Sequence, residues 1–227
     1  MPTDLLVDAY FQARTVKGYR YLDDAGKIMN QWDTYFPEKT VGIDGLNMAN
    51  MDAVLRRLRV DMNNIWLNLN IPDNIDQVVN LAHDTTTRVA EIIGVDQFRR
   101  VGLRLEYVYA VKDTGSATVQ AISNLFSGQW LTATDNAVWR RRAFQFMVPL
   151  NSRDPEVNLR VAVVRRHPKM QPRKELPESG IMADLDLFRT GIIDVRDLKA
   201  FLSKAKEWIE KEFPSVRDDL LKEVDLG

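Results

Sequence analysis

Arginines at strand-like spacing are the residues of this chain whose type and pattern best suit chemistry. Arg57 and Arg59, Arg100 and Arg104, Arg140 to Arg142, and Arg160 and Arg166 interleave with apolar residues. Side chains two apart on a strand share a face, so the alternation buries one face of several strands and presents guanidinium groups on the other. Guanidinium forks clamp phosphate or carboxylate groups and stack on flat rings. The expected binding face therefore carries Arg57, Arg59, Arg104, Arg141 and Arg160. Glu106, Asp184 and Asp186 fall on the same parity, as do Asp8 and Asp61, so cross-strand ion pairs in a mixed-charge lattice compete with an anion-binding trough.

Other constellations are weaker. Asp184-Leu185-Asp186 sets two carboxylates on one strand face, a spacing that metal-dependent phosphoryl transfer can use. Arginines around them favour ion pairing, and no metal site is expected. Asp113-Thr114-Gly115-Ser116 matches the short signature of aspartic proteases, whose chemistry needs a second aspartate sharing the proton. The sequence has no second copy, and a helix-like run follows, so the segment reads as a turn with Thr114 or Ser116 capping a helix. His83 stands beside Asp84 and His167 precedes Pro168, neither with a serine or cysteine partner in a recognisable motif. Phosphate-binding loops of the Walker type and dinucleotide-binding glycine fingerprints are absent from the sequence. No catalytic residue and no cofactor is assigned.

The elements that must position these residues follow from length and pattern. A chain of 227 residues, 45% hydrophobic and 28% charged, can bury a substantial core. It contains no cysteine, which fits a reducing, cytoplasmic setting. No apolar run approaches the roughly 20 residues that span a bilayer, and no membrane association is expected. Net charge is -1 but uneven: residues 1–98 carry 9 basic against 14 acidic side chains, residues 99–174 carry 14 against 5, and residues 175–227 carry 8 against 13. Acidic flanks of this kind can neutralise a basic middle within one fold.

Strands are expected near Leu5–Phe11, over Arg57–Met62 and Ile65–Leu69 as a hairpin turning at Asn63-Asn64, over Val101–Val111, and over Trp139–Val148, Val157–Arg166 and Ile181–Phe188. Residues 38–53 lack clear periodicity and read as a long connection or an irregular edge strand. Helices are expected over Tyr21–Trp32, from Pro72-Asp73 to a stop at Gly94, over a short run with Val119 and Ile122, and from Asp194 with Leu198, Phe201, Leu202, Ala205, Trp208 and Ile209 buried. Ser215–Asp218 resembles a capping box opening a last short helix. The expected fold is α+β: a largely antiparallel, curved sheet of about seven strands with amphipathic helices on one face. It forms one domain over residues 1–227, with 214–227 as a peripheral C-terminal helix.

The hairpin, the long helix, the strand Phe98-Arg99-Arg100-Val101-Gly102-Leu103-Arg104-Leu105-Glu106-Tyr107, the ending Ala183-Asp184-Leu185-Asp186-Leu187-Phe188, and Leu198-Lys199-Ala200-Phe201-Leu202 with Phe213 together resemble a sporadically distributed family of uncharacterised prokaryotic proteins of similar length. The resemblance covers nearly the whole chain and implies the fold above. It carries no activity across; patchy distribution implies mobile or antiphage-defence gene neighbourhoods. Histidines that such families place in the last helix are replaced here by a stretch with Lys206 and Trp208. The alternation also looks like that of triphosphate-tunnel enzymes, but the Leu5–Arg14 strand offers only Asp8 where theirs carries two glutamates and a lysine. The leading expectation is a non-catalytic binding or interaction protein, a sensor, adaptor or regulatory component acting through the Arg/Asp-rich sheet face. A protein partner or self-association is favoured over an anionic ligand, and both over nucleic acid. The alternative is a phosphate- or nucleotide-handling protein.

Overall fold

The computed structural model describes residues 4–16, 21–50, 56–113, 116–117, 120–121, 124, 145–165, 177 and 179–226. The fold is α+β, and the described residues form nine strands in an open, largely antiparallel sheet. The strands are β1 (Leu5–Thr15), β2 (Glu38–Gly42), β3 (Gly45–Asn50), β4 (Arg56–Val60), β5 (Asn64–Asn70), β6 (Gln97–Ala110), β7 (Gln145–Arg153), β8 (Glu156–Arg165) and β9 (Ser179–Asp194). Their order is β2-β3-β4-β5-β1-β6-β9-β8-β7. The helices are α1 (Tyr21–Gln31), α2 (Ile75–Ile93), α3 (Leu198–Lys211) and α4 (Phe213–Leu220). Contacts divide the chain into two compact units, one of Met1–Val7, Leu105–Leu187 and Glu207–Gly227, the other of Asp8–Arg104 and Phe188–Lys206.

In the second of these units, alternation is read out as a register. Phe11 lies opposite Leu67, Leu67 opposite Leu58, and Leu58 opposite Met48. The next row joins Ala13, Ile65, Val60 and Leu46. Every member of both rows is buried. Helices α1 and α2 pack on one another and on β3 and β5, contributing Ala25, Ile28, Val78, Ala82 and Val89 to the core. The α2 helix starts slightly later than expected, at Asn74, whose side chain accepts the Gln77 N–H at 2.9 Å. It stops at Gly94, which adopts φ 69°. That left-handed conformation suits a residue without Cβ.

Residues 38–50 form a second hairpin, β2–β3, where the sequence reads as a connection or an irregular edge strand; this raises the strand count from about seven to nine. Its weak periodicity has a physical cause: β2 ends the sheet and is almost wholly exposed, so one face has nothing to bury. Gly45 makes the turn possible. Its φ is 139°, and a Cβ there would meet the Val60 carbonyl oxygen at 2.7 Å. The β4–β5 turn centres on Met62-Asn63 instead of Asn63-Asn64, closed by the Asp61 N–H donating to the Asn64 carbonyl at 3.0 Å.

In the unit containing both termini, Leu105, Tyr107, Val108, Tyr109, Leu159, Val161, Leu185 and Leu187 are buried. Val101, Leu103 and Leu105 sit on the core side of β6 as the alternation predicts; Trp139–Ala143 lie outside the described residues. The last helix corrects two expectations. Val216 and Leu220 are fully buried and Phe213 packs on Tyr107 at 4.8 Å between ring centres, so the helix expected to be peripheral contributes side chains to the core. Ser215 does not open a capping box, because α4 begins at Phe213 with Pro214 in its first turn. Trp208 is half-buried, whereas Phe201 is fully buried.

Leu220→Ala and Phe201→Ala should therefore each destabilise the protein, by about 2–5 and about 3–5 kcal/mol respectively. Chemical denaturation midpoints test this; near-wild-type stability for Leu220→Ala would show that the last helix is a passive appendage.

Candidate functional site

The rows that bury Phe11 and Leu67 leave the opposite face of the same strands to polar side chains. One row runs Gln12, Trp66, Arg59 and Asn47; the next runs Tyr10, Asn68 and Arg57. Arg57 and Arg59 are exposed, while Tyr10, Gln12 and Trp66 are half-buried. The Tyr10 and Trp66 rings contact each other at 5.8 Å between centres with planes 37° apart. Arg104 places its guanidinium 5.6 Å from the Tyr10 ring centre. Further along, Arg100 lies 4.9 Å from the Phe188 ring centre. Gly102 gives that guanidinium room, since a Cβ there would approach Arg100 Nη1 to 3.1 Å. Each cation lies within range of attraction to the negative face of a ring.

Amides complete this surface. Gln12 Nε2 donates to Asn64 Oδ1 at 3.0 Å, and Asn68 Nδ2 donates to Asp8 Oδ1 at 3.1 Å. Arg14 donates to Gln12 Oε1 at 3.2 Å. Arg59 donates to the Asp44 carbonyl at 3.2 Å, with Asp61 3.7 Å away.

The other expected site residues fall in the other unit and behave differently. Arg160, half-buried, forms an ion pair with Asp184, which is only 3% exposed. Glu106 and Asp186 are half-buried and each engages a partner. Arg141 lies outside the described residues. Within one unit Arg160 pairs with Asp184, and within the other Arg57 and Arg59 lie opposite Asn68 and Trp66 while Arg104 lies over the Tyr10 ring. The pairing that the lattice reading expects is seen between Arg160 and Asp184, and Arg59 lies within ion-pair reach of Asp61. No group of three or more metal-ligating side chains occurs among the described residues.

Asp113 accepts the Ser116 N–H at 3.2 Å and its carbonyl accepts the Ala117 N–H at 3.1 Å. Asp113 therefore caps the turn that follows it; Thr114 and Gly115 lie outside the described residues. His83 Nδ1 lies 3.0 Å from Asp84 Oδ1 on the surface of α2; His167 lies outside the described residues.

Sequence reasoning missed the rings. Trp66 lies between Ile65 and Leu67, off the apolar parity of its strand, and Tyr10 likewise stands off the parity of Ala9 and Phe11. An aromatic on the polar parity is the signal that marks both. A further polar cluster, also unforeseen, ties the termini: Tyr109 donates to Asp4 Oδ1 at 3.0 Å, and Arg217 Nη1 donates to Asp4 Oδ2 at 2.7 Å. Burial, reinforced by the Asp4 charge and hydrogen bond, holds the Tyr109 hydroxyl far above the ordinary tyrosine range; Tyr107 is raised by burial and then by Asp4.

No family model matches the chain, and no curated protein matches it. Among solved structures it is similar to the NMR structure of PA4090 from Pseudomonas aeruginosa, at 18% identity and a TM-score of 0.27, over 39% of this chain and 92% of that one. No helix among the described residues is long and apolar enough to cross a membrane.

Two outcomes follow from these clusters. Arg160→Met strands the buried Asp184 carboxylate and should cost about 3 kcal/mol, whereas the double variant Arg160→Met with Asp184→Leu should recover most of that loss. A double variant no more stable than Arg160→Met alone would show that the pair is not the source of the effect. For the tyrosines, the unfolded chain ionises near the ordinary value of 10.0 while the folded protein keeps its protons. Unfolding above that pH therefore releases protons, and stability falls as pH rises past about 10. Tyr109→Phe should flatten this alkaline decline in denaturant midpoints taken from neutral to alkaline pH, and an unchanged slope would contradict the assignment.

Proposed function

We propose that this chain is a non-catalytic binding protein, a sensor, adaptor or regulatory component, that engages its ligand through the open sheet face bearing Arg57, Arg59, Tyr10 and Trp66. One observation carries the reading: the strands commit one face entirely to the core and expose arginines beside aromatic rings on the other. Exposed cations next to half-buried rings gain little from folding, since neither is fully removed from water and exposed charge pairs contribute little to stability. Their return comes from contact with something else. The resemblance to a sporadically distributed prokaryotic family supports a regulatory or defence role, and the lack of cysteine supports a cytoplasmic setting.

The double variant Arg57→Ala with Arg59→Ala tests the face. A thermal-shift panel of nucleotides, polyphosphate, short nucleic acids and acidic peptides, with sedimentation to detect self-association, should find at least one interaction in the wild type that the variant loses while its own melting temperature stays within about 2 °C, as expected for exposed surface substitutions. Identical profiles for the two proteins would overturn the reading.

A further inference from the structure

We infer that the chain forms a symmetric dimer by pairing its edge strand β2 with β2 of a second copy, so that two sheets run on as one. The surface involved is the rim of the sheet and not the arginine-bearing face, and the inference goes beyond the binding role proposed above. Strand β2 ends the strand order and, among the described residues, pairs with β3 alone. Its residues Glu38, Thr40, Val41 and Gly42 are exposed. An edge of this kind offers a row of main-chain donors and acceptors to another strand.

The core itself runs out at this edge. One apolar row joins Ala13, Ile65, Val60, Leu46 and Val41 through β1, β5, β4, β3 and β2 in turn. The members from Ala13 to Leu46 are fully buried, whereas Val41 is 44% exposed. Val41 thus has the parity of the core and lacks the next strand to cover it. Beyond it, Ile43 in the hairpin turn is 90% exposed, the most open of the large apolar side chains among the described residues.

The turn fixes which main-chain groups face outward. Gly42 pairs with Gly45 across a two-residue turn, and such a flanking pair is hydrogen-bonded. Bonds to β3 therefore fall on Gly42, Thr40 and Glu38, while Lys39 and Val41 turn their N–H and C=O groups to the free edge. The strand is also held in place, because the Tyr21 hydroxyl donates to the Gly42 carbonyl at 3.1 Å and Lys39 forms an ion pair with Asp33. A strand already fixed loses little freedom when a partner docks.

Charge and shape select a second copy as the occupant and set its register. A two-fold axis through Thr40 brings Val41 of each copy opposite Lys39 of the other, so these residues exchange main-chain hydrogen bonds and the lysine stems cover the valines. Thr40 then meets Thr40, and Glu38 falls opposite Gly42. Ile43 comes opposite the exposed Pro37, which has no N–H to leave unpaired. Axes through Glu38 or Lys39 would set like charges face to face, and an axis through Val41 would set Glu38 against Asp44. Of these registers, the one centred on Thr40 alone opposes no like charges.

Sedimentation of the full chain across a concentration series tests the dimer, and cysteine crosslinking tests its register. The wild type should shift from one chain to two as concentration rises. Val41→Pro removes an outward N–H without touching the ladder to β3, and should weaken the dimer about tenfold or more. The chain has no cysteine of its own. Thr40→Cys should therefore give a disulfide-linked dimer on mild oxidation, because directly opposed residues of an antiparallel pair lie about 4.5–5.5 Å apart. Glu38→Cys should not, since its two copies stand about 14 Å apart in that register. Should Val41→Pro fail to fold, Val41→Lys, an exposed substitution that opposes two lysines, takes its place. A wild type that stays single at every concentration, a dimer unweakened by the Val41 variant, or a Glu38→Cys crosslink as fast as that of Thr40→Cys would each overturn the inference. So would a dimer lost in Arg57→Ala with Arg59→Ala but kept in the Val41 variant, which would put the contact on the sheet face.

Discussion

Strand register is the constraint on which the rest depends. Because side chains alternate, a slip of one residue between β5 and its neighbours would turn Ile65, Leu67 and Leu69 to the polar side and carry Trp66 and Asn68 inward. Core and surface are thus specified by one set of hydrogen bonds. The row Phe11, Leu67, Leu58 and Met48 holds the register through burial. The row Gln12, Trp66, Arg59 and Asn47 is delivered to the opposite side as a consequence. Any change that loosens the apolar row should disperse the arginine and ring surface as well, even though no surface residue has been altered.

The two polar clusters illustrate opposite uses of arginine. Around Asp184 the guanidinium of Arg160 answers a carboxylate removed from water, and the pair's role is to keep a buried charge from standing alone. Around Tyr10 the guanidinium of Arg104 lies over an aromatic ring. The first arrangement pairs two opposite charges within the molecule. On β4, Arg57 and Arg59 are exposed, and Arg59 is held by the Asp44 carbonyl and Asp61.

Much of the fold was legible because burial writes itself into periodicity. Strands β4, β5 and β6 and helix α2 follow from Leu58 and Val60, from Ile65, Leu67 and Leu69, and from a helical stripe ended by Gly94. Hairpin β2–β3 was obscure because an edge strand with both faces wet has no apolar beat. Helix α4 was misjudged because its burial depends on Tyr107, more than a hundred residues earlier, which no local pattern reveals. The same limit applied to the site. Parity put arginines and acids on one side of the strands, but which of them meet is decided by strand order, and that order sends Asp184 to Arg160 and leaves Arg57 opposite Asn68. Trp66 was overlooked because a large apolar ring between two leucine-like neighbours reads as core until its parity is counted.

Neither compact unit is continuous in sequence. The unit holding Asp4 draws on Met1–Val7, Leu105–Leu187 and Glu207–Gly227, and the other needs Phe188–Lys206 to accompany Asp8–Arg104. On the ribosome, where chain emerges at roughly 5–20 residues per second, the unit begun by Asp8–Arg104 cannot close before Lys206 is made, and the other cannot close before the stretch from Glu207 emerges. The β1 strand, apolar on alternate residues, must then wait for partners made much later, and its exposed rows are the segment most in need of chaperone protection in the interval. The interleaving also means that cutting the gene at any single point yields no self-sufficient half, so reporter fusions, split-protein designs and limited-proteolysis fragments have to retain the whole chain.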